Sequence, residues 1–314
     1  MKQNKLAVVA GPCSIDRKNL HEIYEIAAMT VTNREGVTQK AIAGTRIVGI
    51  KSRTELDPSG KGMGIDFEVY MHNLKSLTAG GCIVDLVVPP SVEIAEEVFR
   101  KTGMLVATEV MSPLLQLPQY GNRIPAKKLM PWNPAVNQLG WPILQTAELC
   151  RTYGWHLGIK NGKWVGEHVH IANSEDFSGI TTMEKTWAGL TAYAGKLEGD
   201  IVLIHRGVDV PDKGDYRNAP VHNIAKRTKI ATGAKLFFDP SHAHGPKMRK
   251  QIVYAVLDAL QLKMDDGSFL YDGILIETGT SETDTDQHIT TAELQTLVTE
   301  LAAVRDLATP EDII

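Results

Sequence analysis

Eight short apolar runs recur along the chain, each closed by glycine, proline or a polar residue. They occupy residues 6–10, 46–51, 104–109, 128–132, 155–160, 200–206, 234–238 and 273–277. Continuous apolar runs of this length suit strands covered on both faces, as in a parallel sheet. Most are separated by stretches with the three-and-four spacing of amphipathic helices. Leu20, Ile23, Ile26 and Ala27 predict a helix running to about Thr32, and Ser91 is placed to cap one carrying Val92, Ile94, Ala95, Val98 and Phe99 on its apolar side. Further helices are predicted over 67–78, 141–153, 181–196, 218–232, 248–262 and 291–307, with a strand-like run at 82–88 and polar, glycine-broken loops at 33–44 and 55–66. Eight strand–helix repeats in 314 residues predict a TIM (β/α)8 barrel, one catalytic domain over 1–314, with an insertion around 55–90. No GxGxxG follows the first run, which argues against a doubly wound dinucleotide-binding sheet.

Composition narrows the classes of function. The chain is 43% hydrophobic and 22% charged with a formal net charge of −4, so no broad nucleic-acid surface is expected and any anion site must be a local basic cluster. No run approaches the roughly 20 apolar residues of a membrane helix. Met1–Lys5 leads into only five apolar residues before Gly11, which is not a secretory leader. Cys13, Cys82 and Cys150 lack CxxC spacing and are odd in number, so reduced thiols and a cytoplasmic location are expected.

In parallel α/β barrels chemistry gathers at the carboxyl ends of the strands. Here those ends carry Cys13, Lys51 with Arg53, Glu109, Asn133, Lys160, Arg206, His242 and Glu277. Each alone reads blandly, as a small core residue or a snorkelling cation. Together they concentrate reactive groups on one face. The first, seventh and eighth strands are neighbours in a closed barrel, so Cys13, His242 and Glu277 are candidates to share one divalent ion, with Asp284, Asp286 or His288 as a fourth ligand. A thiolate, imidazole and carboxylates suit Zn, Mn, Fe(II) or Co. Arg46, Lys51, Arg53, Lys160 and Arg206 form a cationic ring suited to phosphorylated substrates.

Several motifs occur in a particular order: Ala-Gly-Pro-Cys-Ser-Ile (10–15), Arg46 followed by Lys51-Ser-Arg53-Thr54, Ala107-Thr-Glu109, Gly158-Ile-Lys160-Asn-Gly162, Arg206-Gly207, Asp239-Pro-Ser-His242-Ala and Ile276-Glu277. In this order they resemble the 3-deoxy-heptulosonate-phosphate (DAHP) synthases over about residues 6 to 290. KSRT is similar to that family's KPRT, which the sibling 3-deoxy-octulosonate-phosphate synthases lack. The resemblance implies a cytoplasmic homo-oligomer joining phosphoenolpyruvate and erythrose 4-phosphate in the first step of aromatic biosynthesis. It implies Cys13, His242, Glu277 and Asp286 as ligands of one divalent metal ion, and Arg46, Lys51, Lys160 and Arg206 as the phosphoenolpyruvate site. It further implies Arg53 and Thr54 as the aldose-phosphate anchor, and Lys51, Lys160, Glu109 and His242 as catalytic groups. A related synthase with another aldose acceptor, or a non-catalytic regulator that binds phospho-ligands, is the alternative. One departure stands out: the family's Gly-Ala-Arg after the fourth strand reads Pro131-Trp132-Asn133 here. With no segment predicted outside the barrel to form a regulatory domain, weak or no inhibition by aromatic amino acids is expected.

Overall fold

The apolar runs close on one another. The computed structural model describes residues 5–51, 63–164, 180–211, 213–281 and 286–311. Strands β1 (Ala7–Gly11), β2 (Gly44–Arg46), β3 (Leu105–Glu109), β4 (Leu129–Trp132), β5 (Leu157–Lys160), β6 (Ile201–His205), β7 (Lys235–Phe238) and β8 (Gly273–Glu277) pair in chain order, all parallel, and β8 returns to β1 to close a barrel. Around it lie α1 (Leu20–Ala28), α2 (Phe67–Thr78), α3 (Pro90–Thr102), α4 (Gly140–Tyr153), α5 (Thr182–Ala194), α6 (His222–Thr232), α7 (Ile252–Ala259) and α8 (Thr291–Val304). This is the expected TIM barrel. α5 and α8 each start in a capping box, Thr181 with Glu184 and Thr290 with Glu293.

The core has two layers. Leu105, Ala107, Met130, Trp132, Val202, Ile204, Phe237 and Leu275 fill the inside of the barrel, while a larger apolar shell joins the strands to the helices. Nearly every strand position is therefore dry on both faces, which is why the runs read as continuously apolar.

Three predicted elements differ. The second strand is Gly44–Arg46, not 46–51, because its pairing ends at Arg46 opposite Ala107. Beyond it the backbone bonds to loops: Val48 O accepts from Ile15 N at 2.9 Å, Gly49 O from Asp66 N at 3.0 Å, and Lys51 N donates to Met63 O at 3.2 Å. Residues 47–50 are apolar because they are buried, not because they are strand. The run 82–88 forms only a 3-10 turn at Ile83–Asp85; Asn73 takes both backbone groups of Val87, at 2.9 Å each, so no strand partner is needed. The first helix stops at Ala28, and an antiparallel hairpin, Thr30–Thr32 with Thr38–Lys40, replaces its expected end and part of the loop. The other helices are trimmed by a few residues, and α3 opens at Pro90 with Pro89 as its cap.

Ser91 has a different task. Its N–H donates to Asp66 Oδ1 at 2.9 Å and its hydroxyl to Asp66 Oδ2, tying α3 to the segment that returns the chain to Lys51. Asp66 packs so closely on Gly49 that a Cβ there would lie 1.9 Å from Oδ2, which explains the glycine. Burial pushes the Asp66 carboxyl up to about 6, with Ser91 opposing. A folded-state value above the unfolded 3.8 means the folded protein holds this proton longer. The contribution to stability is thus full below pH 3.8 and is lost as pH rises through about 6. Asp66→Asn keeps both contacts without the charge. It is expected to raise stability at pH 8 by up to about 3 kcal/mol, with the gain vanishing towards pH 4, as measured by urea unfolding at both pH values.

Candidate active site

The pleat determines which strand-end side chains enter the barrel. Side chains alternate along a strand, so Glu109 follows Ala107, Arg206 follows Ile204, Asp239 follows Phe237 and Glu277 follows Leu275 into the interior. Arg46, Lys51, Glu109, Lys160, Arg206, Asp239, His242 and Glu277 are all buried there.

Glu277 is the hub. Its Oε1 lies 3.0 Å from Arg46 Nη2, 3.8 Å from Lys51 Nζ and 3.8 Å from His242 Nε2, and its Oε2 accepts from Gln287 Nε2 at 2.8 Å. Burial alone would raise its pKa; Arg46, then His242 and Lys51, hold the carboxyl well below its usual range. A second pair joins Lys160 Nζ to Asp239 Oδ2 at 3.1 Å. Asp239 Oδ1 also accepts from His242 Nδ1 at 3.1 Å, and Asp239 caps the turn Pro240–His244 through His242 N. That capped turn carries His242 to the mouth. It arises because Pro240 suits the first position of a helix and Asp239 its cap.

Two lysines share this mouth and are pushed in opposite directions. Burial acts against the charge on both. Cys13, Glu109 and Glu277 outweigh it at Lys51, whose pKa rises. At Lys160 burial prevails over Asp239 and Glu109, and Arg46 and Lys51 add to it, so its pKa falls. Between the cations stands Trp132, with Arg46 5.7 Å and Lys160 5.3 Å from its ring centre and its Nε1 donating to Glu109 Oε2 at 3.3 Å.

Cys13 Sγ, a Glu277 oxygen and a His288 ring nitrogen lie within 4.8 Å of one another, all buried. A thiol, an imidazole and a carboxylate converging on one point fit a borderline divalent ion. His242 borders this cluster through Glu277 but is not within the same reach of all its atoms. Asp286 is exposed, and the side chain its segment contributes to this group is His288. Asp284, Arg53 and Thr54 lie outside the described residues.

Arg46 is fully buried, and none of its three guanidinium nitrogens makes a well-formed hydrogen bond despite the nearby carboxylate. A buried guanidinium with unused donors is a ready receptor for an anion. Arg206 is also buried, its Nη1 donating to Asn218 Oδ1 at 3.3 Å. Asn133, standing where the resembled family has arginine, is committed to backbone: its Oδ1 accepts from Lys160 N at 2.8 Å. Sequence reasoning gave no role to Trp132 or Asp239. Their signal was the pleat, since both fall in phase with inward-facing neighbours. Cys150 is buried with its thiol donating to His156 O at 3.2 Å, and Cys82 is exposed; neither belongs to the Cys13–Glu277–His288 group.

The chain matches no known protein-family profile and no curated protein sequence. Its fold is similar to that of solved structures from Thermotoga maritima. One is phospho-2-dehydro-3-deoxyheptonate aldolase (DAHP synthase), with TM-score 0.64, 15% identity and coverage of 95% of this chain and 68% of that one. The other is a truncated 3-deoxy-D-arabino-heptulosonate 7-phosphate synthase, with TM-score 0.59, 17% identity and coverage of 95% and 86%.

Trp132→Ala removes a fully buried indole from between two cations and Glu109. It is expected to cost about 3–5 kcal/mol of stability in denaturant unfolding, and Trp132→Phe distinctly less.

Proposed function

We propose that this chain is a metal-dependent DAHP synthase, condensing phosphoenolpyruvate with erythrose 4-phosphate to 3-deoxy-D-arabino-heptulosonate 7-phosphate and phosphate. That reaction is the first step of the shikimate pathway. The observation that carries the reading is the double use of Glu277, which belongs to the Cys13–Glu277–His288 cluster and lies 3.0 Å from the buried Arg46. An anion receptor and a metal-competent cluster therefore share one carboxylate. The order of the motifs and the likeness in fold support the same assignment.

In this reading Arg46, Lys51 and Arg206 bind the carboxylate and phosphate of phosphoenolpyruvate, and Arg53 and Thr54 anchor the acceptor's phosphate. The enol carbon attacks the aldehyde carbon, water adds to the carbon bearing phosphate, and phosphate leaves. Cys13, Glu277 and His288, with His242 beside them, would hold the divalent ion, which supplies polarisation of the aldehyde oxygen. Lys160, with its lowered pKa, is the better proton-transfer group, while Lys51 stays a fixed cation. Glu109, held by Trp132, is placed to orient the water. Because Asn133 offers no charge, the substrate phosphate loses a contact worth ~1.5–3 kcal/mol relative to the arginine-bearing family. Weaker binding of phosphoenolpyruvate follows.

The test is phosphate release from phosphoenolpyruvate with erythrose 4-phosphate or arabinose 5-phosphate as acceptor, in the presence of Mn. Turnover is expected with the four-carbon acceptor; preference for the five-carbon one would move the assignment to the sibling synthases, and no turnover with either would refute the reading. Chelation is expected to abolish activity and Mn or Co to restore it, whereas full turnover by metal-stripped protein would rule out the metal role. Cys13→Ala and His288→Ala should each lower metal affinity at least tenfold by calorimetry, and Asp286→Ala should leave it within twofold.

A further inference from the structure

The geometry points to three buried asparagines, Asn133, Asn161 and Asn218, as positioning residues that hold Lys160, Arg206 and His242 at the mouth of the barrel. The inference rests on the functional reading of those three side chains given above and adds what fixes them.

A parallel ladder must end somewhere, and here it ends where the chain is still buried. The last β4–β5 pairing is Trp132 with Gly158, two residues before Lys160. The backbone N–H and C=O beyond it need partners. Asn133 supplies both for Lys160: its Oδ1 accepts from Lys160 N at 2.8 Å and its Nδ2 donates to Lys160 O at 3.2 Å, with Gln138 Nε2 adding a second donor to that oxygen at 3.0 Å. One strand further round, the arrangement repeats. Asn161 Oδ1 accepts from Arg206 N at 2.8 Å and Asn161 Nδ2 donates to Gly207 O at 3.0 Å. The next step uses Asn218, whose Nδ2 donates to His242 O at 2.7 Å while its Oδ1 accepts from Arg206 Nη1 at 3.3 Å. The three side chains are 5%, 0% and 1% exposed.

Carboxamide is the side chain this task requires. It carries an acceptor and donors on one short stem, so it imitates a peptide group and extends the ladder. It is also neutral. An aspartate in any of these places would add a carboxylate beside Lys160 or Arg206 and compete with an incoming anion for their charge. The asparagines thus fix cations without neutralising them. On this view Asn133 is not merely an arginine lost; it has exchanged a direct grip on substrate for control of the adjacent lysine.

Two readouts test this. Amide hydrogen exchange over residues 157–161 reports the clamp itself, and steady-state kinetics with phosphoenolpyruvate and erythrose 4-phosphate report its consequence. Asn133→Ala is expected to speed exchange in that segment at least tenfold without a matching rise elsewhere. It should also lower kcat/KM for phosphoenolpyruvate at least tenfold while the KM for erythrose 4-phosphate stays within twofold. Asn133→Asp, nearly isosteric and retaining the acceptor for Lys160 N–H, should recover part of the exchange protection; it also provides a folded variant should the alanine protein fail to fold. Unchanged exchange in a folded variant overturns the proposal, and so does faster exchange with unchanged kinetics. If the unaltered protein does not consume phosphoenolpyruvate, the functional reading falls, and exchange alone then decides whether the clamp exists.

Discussion

A charge buried in a protein must find an opposite charge, and most of this site follows from that rule applied to Glu277. Removing a carboxylate from water costs several kcal/mol unless partners repay it. Its partners are Arg46 at 3.0 Å, Lys51 at 3.8 Å and Gln287 at 2.8 Å. Arg46 and Lys51 come from the segment leaving β2 and Gln287 from the segment after β8, and all must arrive together for any to be tolerated. Lys160 and Asp239 form the second such set, linked to the first through His242. Neutralisation is nonetheless incomplete in hydrogen-bonding terms, since the Arg46 donors remain unused. The cluster is paired enough to be buried, yet Arg46 keeps donors in hand.

The barrel makes this arrangement affordable because it separates two tasks. Its lower strand segments bury apolar side chains on both faces and hold the shape. The last inward positions then carry charge onto a rigid rim. Beyond the rim, side chains take over where backbone pairing stops, with Asn133 and Asn161 extending the ladder and Asp66 fastening the segment that leads to Lys51. Neutral amides serve where a charge must be left available. At Asp66 the buried carboxyl is held instead by two donors from Ser91.

The architecture was legible because strands dry on both faces leave an unbroken apolar signature, repeated eight times at regular intervals. The candidate site was legible for a related reason: a Glu, Lys or Arg at the end of such a run has few structural excuses. What escaped notice depended on context that no single run contains. Residues 46–51 look like strand because they are buried, yet only Arg46 is in the ladder. The strand-like 82–88 is apolar but largely exposed, with Val84 at 90%, so apolarity misled in the opposite direction. Trp132 reads as core until its neighbours around the barrel prove to be cations. That His288 is buried beside Cys13 and Glu277 while Asp286, two residues earlier, is exposed is a matter of tertiary packing that spacing from Glu277 does not encode.

The position of Trp132 also gives the protein an optical property. Indole emission shifts with the electric field along the ring, and this ring lies against Arg46 and Lys160 while its N–H touches Glu109. A ligand that binds those groups alters the local field without needing to move the backbone. Of the other four tryptophans, Trp141 and Trp164 are exposed, and Trp155 and Trp187 are buried outside the barrel interior. The difference in emission between the unaltered chain and Trp132→Phe therefore isolates one chromophore inside the mouth, and its colour reports the charge state of the site directly.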